Sequence, residues 1–242
     1  MLKNGNFENI FGFHSEKVIY LHLKNSIPKK MDVISQISEI SKKLFFQKGI
    51  KSISVDDISK EIGISKKTFY KFFSSKEELL DKLVQSHIEN ERLEIERLVL
   101  SSENAIDELY NIYKFNVANC MNMGNHFVDE LKKNYFITWR KLEAHLYDDV
   151  PKVIYNNLER GQSEGLYSMY IQKEYIAQIY SKNLFNTLEY FVMQHQCSIV
   201  QLFQSHFLYH VKGIGTKKGL EELSKIVELE KERLIEINNI IN

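Results

Sequence analysis

Apolar residues recur at steps of three and four along the chain from residue 32 onward. Val33, Ile37, Ile40 and Leu44 form one such series, and this spacing places apolar side chains on one face of an amphipathic helix. Because only two prolines and ten glycines occur in 242 residues, few positions would interrupt long helices. The pattern therefore predicts an all-α fold, with helices near residues 32–48, 54–62, 65–74, 75–100, 104–123, 125–135, 137–160, 173–196, 198–212 and 217–242.

A helix-turn-helix pattern lies between Ser54 and Lys76. Ser54 has a side chain suited to an N-cap, and two aspartates follow in the first turn, where the helix dipole favours negative charge. Gly63 can adopt a positive φ without a Cβ clash, and Ser65 can cap the next helix. Two short helices joined by such a turn are typical of proteins that place the second helix in the DNA major groove.

The second of these helices has side chains that suit a nucleic acid. Four lysines and no acidic residue occur from Ile64 to Lys76, and lysines neutralise phosphates and release counterions. Hydroxyl groups in the same stretch can fix the position of a protein on the DNA backbone. A solvated basic helix face is the alternative for the lysines taken alone. The candidate DNA-binding residues are Ser54, Ser65, Lys66, Lys67, Thr68, Tyr70, Lys71 and Lys76.

The stretch from Ile40 to Leu80 resembles the N-terminal DNA-binding domain of the TetR family of bacterial transcriptional regulators. A second phrase, from Asn157 to Tyr167, is similar to the region of that family in which a helix stops at a glycine and an extended connector begins. The residues that carry the first resemblance are Leu44, Phe45, Gly49, Val55, Ile58, Gly63, Ile64, Ser65, Thr68, Phe69, Tyr70, Phe73 and the run Ser75–Leu80.

The resemblance implies a homodimeric repressor that binds a palindromic double-stranded DNA operator and responds to a small-molecule effector. It also implies that Ser65, Lys67, Thr68, Tyr70 and Lys76 lie at the DNA and that Lys71 points toward it. A TetR-like factor that marks DNA and recruits a protein partner without a ligand is the alternative function.

Charge and the resemblance together suggest three segments. Residues 1–80 hold 14 Lys and Arg against 9 Asp and Glu, a balance of +5, and the other residues balance at −5, so the whole chain is neutral. We expect a poorly ordered extension at 1–30, a helix-turn-helix domain at 31–77 and a helical effector-binding and dimerisation domain at 78–242. An arm that reaches the minor groove is an alternative for the extension.

The second domain is rich in aromatic and methionine residues, which suit a small apolar or aromatic effector. Simple core packing is the alternative at each position. The candidate ligand-binding residues are Tyr113, Asn116, Val117, Met121, Phe127, Trp139 and Asn183. Two long helices that are apolar over more than one face suggest a subunit interface, with Tyr180, Leu188, Leu202, Phe203, His206 and Phe207 as the candidate dimer residues.

Motifs for other functions are missing from the sequence. No nucleophile motif, glycine-rich phosphate loop or pair of catalytic carboxylates occurs, so we expect neither an enzyme nor a cofactor. His206 and His210 are four residues apart but have no third ligand nearby, which predicts no metal site. Cys120 and Cys197 are interpreted as free thiols. No run of about 18 apolar residues or signal peptide is present, so we expect a cytoplasmic protein.

Overall fold

The computed structural model describes residues 32–122, 125–193 and 198–241. In these ranges the regular elements are helices, and an isolated bridge joins Tyr167 to Gly215. The predicted all-α fold is confirmed. The helices are α1 (Val33–Lys48), α2 (Val55–Ile62), α3 (Lys66–Phe69), α4 (Lys76–Ser101), α5 (Ala105–Asn122), α6 (Asn125–Asn134), α7 (Phe136–Ala144), α8 (Val150–Ser163), α9 (Lys173–Met193), α10 (Ile199–Ile214) and α11 (Lys217–Ile241), with a π-helical turn, His145–Asp149, between α7 and α8.

Helices α1 and α2 of the N-terminal unit begin and end where the sequence predicts. Asp32 caps α1, because its carboxylate accepts a hydrogen bond from the N–H of Ser35 at 2.7 Å. Gly49 and Gly63 follow α1 and α2 with φ of +83° and +81°, a conformation that favours glycine. The apolar faces of α1 to α4 enclose one core, so the helix-turn-helix is held by both local caps and packing.

This core continues into the second domain. Its buried residues from the N-terminal unit include Ile37, Phe45, Ile58 and Phe69, and those beyond residue 77 include Leu80 of α4 as well as Phe127, Leu131, Trp139 and Phe185. Packing therefore crosses the boundary that we predicted between residues 77 and 78. Helices α6 and α7 touch the unit that carries the helix-turn-helix, and Phe185 of α9 packs on Trp139 of α7.

Helix α4 also belongs to both parts of the molecule. It has 26 residues, a length of roughly 39 Å at 1.5 Å per residue. Leu79, Leu80 and Val84 near its start are buried in the N-terminal core, whereas Ile95 and Leu98 near its end pack with Ile112 of α5. A change in the direction of α4 would thus move the helix-turn-helix relative to the second domain.

Helix α3 is shorter than the sequence predicts. After Phe69 the chain forms turns in which the N–H groups of Lys71 and Phe72 bond to carbonyls three residues back. Ser75 is the N-cap of α4 and has extended backbone angles, φ −156° and ψ 169°. The chain must therefore leave the helical conformation before this cap, which ends α3 early.

The stretch predicted as one helix near residues 137–160 consists of α7, the π turn and α8. Pro151 is the second residue of α8, and it has no N–H to donate to the carbonyl of Tyr147. The helix widens into the π turn directly before this position. Helix α5 is capped by Asn104, whose Oδ1 accepts the N–H groups of Ile106 and Asp107, each at 3.0 Å.

Some predictions lie outside the described part of the chain. These are the extension at residues 1–30, the helix end at Gly124, the free thiol of Cys197, and the side chain of Leu188 at the predicted dimer interface.

Candidate nucleic-acid interface

Two serines fix the backbone at the starts of α2 and α3. Ser54 Oγ accepts the N–H of Asp57 at 3.2 Å, and the Asp57 carboxylate accepts the N–H of Ser54 at 2.8 Å, which forms a reciprocal capping box. The hydrogen bonds from the Ser54 hydroxyl and N–H hold the pKa of Asp57 below its ordinary value. Ser65 Oγ accepts the N–H of Thr68 at 3.0 Å. Both serines are exposed, and both also serve as local caps.

The reading segment, which we define as residues 65–71, is anchored by aromatic packing. Phe69 and Phe73 are buried, with ring centroids 5.7 Å apart. Tyr70 stands edge-on to Phe69 and is 52% exposed. Its neighbour Lys71 is exposed as well. The segment therefore presents a phenol and an ammonium group to solvent from a backbone that the core holds in place.

The lysines of the reading segment differ in their local partners. Lys67 and Lys71 are exposed, and neither forms an ion pair with any residue that the structure describes. Lys66 pairs with Asp56 across the turn, with both side chains more than half exposed, and the hydrogen bond to Asp56 raises the pKa of Lys66. Because exposed ion pairs are weak, a DNA phosphate could replace Asp56 at little cost.

Lys76 has a structural partner that the sequence did not reveal. Its Nζ donates to the carbonyls of Ile50 and Ile53, each at 3.0 Å. The ammonium therefore ties the loop between α1 and α2 to the start of α4. One N–H remains for another acceptor, and the contact of Lys76 with DNA stays a prediction.

The seven predicted ligand-binding residues do not lie together in one place. Tyr113 and Val117 are buried in the core of the second domain, whereas Phe127 and Trp139 belong to the core shared with the helix-turn-helix. Asn116 and Met121 are half-buried on α5. Asn183 is exposed, because the inward face of α9 is formed by other residues. A pocket lined by these side chains stays a prediction.

Three of the predicted dimer residues are buried within the chain. Tyr180, Phe203 and Phe207 belong to the second-domain core, and Phe207 stacks on Tyr113 with ring centroids 5.4 Å apart. These three side chains cannot form an outer contact surface, which corrects their assignment. The outward faces of α9 and α10 instead carry exposed Tyr175, Ile179 and Tyr209, while Leu202 and His206 are half-buried.

The histidine pair of α10 packs against an aromatic ring. The rings of His206 and His210 lie 4.4 Å and 4.6 Å from that of Tyr180. Burial lowers the pKa of His206 to about 4 and that of His210 to about 3, so both are neutral at pH 7. Within the described ranges, no three His, Cys, Asp or Glu side chains are grouped so as to hold a metal ion.

Two contacts to the N-terminal unit were missed by sequence reasoning. Glu130 of α6 accepts the N–H of Lys51 at 2.8 Å, and a Cβ at Gly49 would lie 2.7 Å from the Glu130 carboxylate. Phe46 of α1 meets Phe127 of α6 edge-on at 4.8 Å. Nothing local in the sequence signals these pairs, since 79 residues separate Glu130 from Lys51.

A polar cleft was missed as well. It has a volume of about 660 Å³ and lies between α4 and the π turn, with Lys82, Arg92, Lys141, His145 and Asp149 among its lining residues. The polar residues of α4 that line it recur at helical spacing. An ordinary solvated helix face gives the same pattern, so the sequence alone could not distinguish the two.

Comparison with known proteins places these features in a family. Residues 37–83 match the family described as "Bacterial regulatory proteins, tetR family". The chain is 30% identical over 112 residues to the uncharacterized HTH-type transcriptional regulator YvaF of Bacillus subtilis (strain 168), a match that covers 44% of this chain and 56% of that protein. The chain thus spans about half the length of this curated relative.

Solved structures share the fold. The reduced form of NemR from E. coli has a TM-score of 0.62 at 16% identity, over 76% of this chain and 98% of that chain. A transcriptional regulator from Saccharomonospora viridis in complex with choline has a TM-score of 0.62 at 17% identity, with the same coverage. At such identities the likeness shows the fold.

The remaining findings concern membranes and catalysis. None of the helices described for this chain combines the length and the apolar character that crossing a membrane requires. The matched family consists of transcriptional regulators and not of enzymes. Residues 37–83 thus match the TetR family of bacterial regulatory proteins, and the curated relative and the shared fold support a TetR-like transcriptional regulator.

Proposed function

We propose that the protein is a ligand-responsive repressor that binds a palindromic double-stranded DNA operator as a homodimer in the cytoplasm. The observation that carries this proposal is the exposed reading segment on a fixed backbone. Lys67, Tyr70 and Lys71 extend from a turn held by the caps of Ser54 and Ser65. Ammonium and hydroxyl groups held in this way can meet phosphates and base edges.

A twofold dimer accounts for the palindromic operator. Two identical subunits related by a twofold axis present two reading segments to half-sites about 34 Å apart. The exposed apolar residues Tyr175 and Ile179 of α9 and Tyr209 of α10 support a subunit contact at these helices, because burying them would remove apolar surface from water.

The packing of α4 supports the proposal that the protein responds to an effector. We expect this effector to be small and apolar or aromatic. Since α4 packs in both cores, a ligand that repacks the second domain would redirect the helix-turn-helix. The fold relative from Saccharomonospora viridis was solved with choline bound. An effector must bind the two states with different affinity, and repression requires that the unliganded state be the one that binds the operator.

The test begins with selection of genomic fragments that the full chain retains, followed by titration of an enriched duplex. We expect Lys67→Ala combined with Tyr70→Ala to weaken binding at least about tenfold. The slope of log K against log salt should fall by about 0.9 for the lost lysine contact. The matched control is Lys133→Ala, which removes an exposed charge that pairs locally with Asp129 of α6.

Three results would contradict the proposal. Unchanged affinity in the double variant would exclude the reading segment as the DNA contact. An equal loss in Lys133→Ala would mean that the effect is only one of net charge. A fragment pool without enrichment would exclude sequence-specific binding altogether.

A further inference from the structure

His145 lies between carboxylates from two different elements. Its side chain is 3% exposed, with Nδ1 2.9 Å from Asp149 in the π turn and Nε2 3.4 Å from Glu91 of α4. Arg92, the residue after Glu91, places Nη2 2.6 Å from the same oxygen of Asp149. We refer to Glu91, Arg92, His145 and Asp149 as the His145 cluster. Both ring nitrogens face carboxylates, and only an imidazolium has an N–H for each of them.

Three more charged groups, from α4, α8 and the π turn, lie at the edge of the cluster. Lys152 of α8 is 3.6 Å from the second oxygen of Asp149. Glu89 of α4 is 3.5 Å from Arg92. Asp148, exposed on the π turn, lines the cleft beside them. These groups add one cation and two anions around a ring that already faces two carboxylates.

Three more titratable groups lie near the cluster, namely His87, Cys120 and Lys141. His87, one turn earlier on α4, lies 3.7 Å from Glu91, and burial together with Lys42 of α1 and His145 lowers the pKa of His87. Cys120 of α5 stays an uncharged thiol, because burial and the charge of Glu91 raise its pKa to about 12. Across the cleft, Lys141 of α7 is paired with Asp81 at 2.7 Å.

The two carboxylates outweigh the effect of burial on His145. Burial alone lowers the pKa of His145, but the hydrogen bond to Asp149 and the charges of Glu91 and Asp149 outweigh burial, so that the net pKa lies above the ordinary 6.5. Burial also raises the pKa of Asp149, yet Arg92 and His145 together bring it down to about 2. The folded protein therefore favours the protonated form of this ring more than a free histidine does, unlike His87.

The cluster lies where α4 meets the second domain. It forms part of the wall of the polar cleft, so solvent protons can reach it. The π turn beside it is a departure from the regular helix, and such turns are frequent at functional sites. Because α4 begins in the core of the helix-turn-helix, a contact that fixes α4 to the π turn also fixes the direction of the reading segment.

We propose that His145 is a positioning residue that, as an imidazolium, joins α4 to the second domain, so that DNA binding is linked to a proton on this ring. When the proton is lost, the neutral ring has one N–H, and its other nitrogen then faces a carboxylate with a lone pair. One of the two contacts fails, and α4 is held less firmly. The consequence for DNA rests on the proposed function, but the chemistry of the ring does not.

The first test uses the chain without DNA. Histidine-labelled protein should show His145 titrating above pH 6.5 by nuclear magnetic resonance, and Glu91→Gln should lower that pKa. Amide exchange around residues 88–95 and 145–150, corrected for intrinsic rates, should be slower at about pH 6 than at about pH 8.5. His145→Gln should abolish this difference. The matched control is His87→Gln, since His87 and Glu91 lie on one helix and join no two elements.

The second test uses the selected duplex. Affinity should differ by about fivefold or more between about pH 6 and pH 8.5 in the wild type and in His87→Gln. It should be nearly independent of pH in His145→Gln. Titration of His145 at or below pH 6.5, or an unchanged pH dependence in His145→Gln, would overturn the inference. A chain that binds no duplex would contradict the proposed function instead, while the resonance and exchange measurements still decide the role of His145.

Discussion

At the residue scale, the histidines of α10 respond to pH in the direction opposite to His145. Burial lowers the pKa of His206 to about 4 and of His210 to about 3, whereas in the unfolded chain both titrate near 6.5. Between these values the unfolded state binds more protons than the folded state. The free energy of unfolding should therefore fall as the pH is lowered from about 6.5 toward 4, as denaturant titrations at pH 7.5 and pH 5 would measure.

His210→Phe provides the control for this acid sensitivity. The phenyl ring keeps an aromatic contact with Tyr180 but has no nitrogen to protonate, and His210 Nε2 has no hydrogen-bond partner within the described chain that would be lost. The loss of stability between pH 7.5 and pH 5 should be smaller in this variant. A loss as large as that of the wild type would show that other groups cause it.

Two glycines give opposite expectations for substitution by alanine. A Cβ at Gly161 would lie 2.0 Å from Cδ2 of the Tyr167 ring, which is fully buried. Gly161→Ala should therefore lower the free energy of unfolding by about 1–3 kcal/mol or more. At Gly213 in α10 a Cβ would meet nothing within 4 Å, so Gly213→Ala should raise it by about 0.5–1 kcal/mol. Equal effects in denaturant titrations would contradict this packing.

The role of a residue can be predicted from the sequence when that role depends on residues close to it along the chain. Gly49 and Gly63 follow helix ends, and their positive φ could be expected from the apolar pattern that stops beside them. Gly161 could be expected only as a helix stop. The helix instead continues to Ser163, and Gly161 is needed because the Tyr167 ring packs on it after the chain has turned.

At the element scale, Lys76 connects two segments of the helix-turn-helix unit. Lys76→Met would leave the carbonyls of Ile50 and Ile53 without the ammonium that they share. We expect this variant to lose about 1–3 kcal/mol of stability, measured by denaturant unfolding. Lys67→Met is the control, because Lys67 is exposed without an ion pair in the described chain. If both variants are equally stable, Lys76 is not a structural tie.

The elements themselves differ in how far the sequence determines them. Helix α2 was predicted with its cap, since Ser54 lies close in sequence to the N–H group that its side chain accepts. The π turn was not predicted, because a widened turn and a kink at Pro151 give the same apolar spacing. The early end of α3 depends on the cap of the following helix at Ser75, which requires extended backbone.

At the scale of the whole molecule, contacts between distant segments limit what the sequence can show. The candidate DNA residues were found because they lie within one short stretch. The candidate pocket residues were grouped by type, but Tyr113 and Phe127 pack in different cores. The His145 cluster joins α4 to the π turn across 57 residues between Arg92 and Asp149, so only the fold reveals it.

The proposed homodimer depends on surface that one chain leaves exposed. Ile179 of α9 is 53% exposed and Tyr209 of α10 is 76% exposed. If these helices pair across a twofold axis, Ile179→Asp would bury a carboxylate on both sides of the contact, which is costly without a partner. We expect this variant to elute as a monomer when molar mass is measured by light scattering, with its helical content unchanged. Leu93→Asp, at a residue of α4 that is 56% exposed, should remain dimeric. A dimeric Ile179→Asp chain would place the interface elsewhere, because an uncompensated charge in an apolar contact favours dissociation.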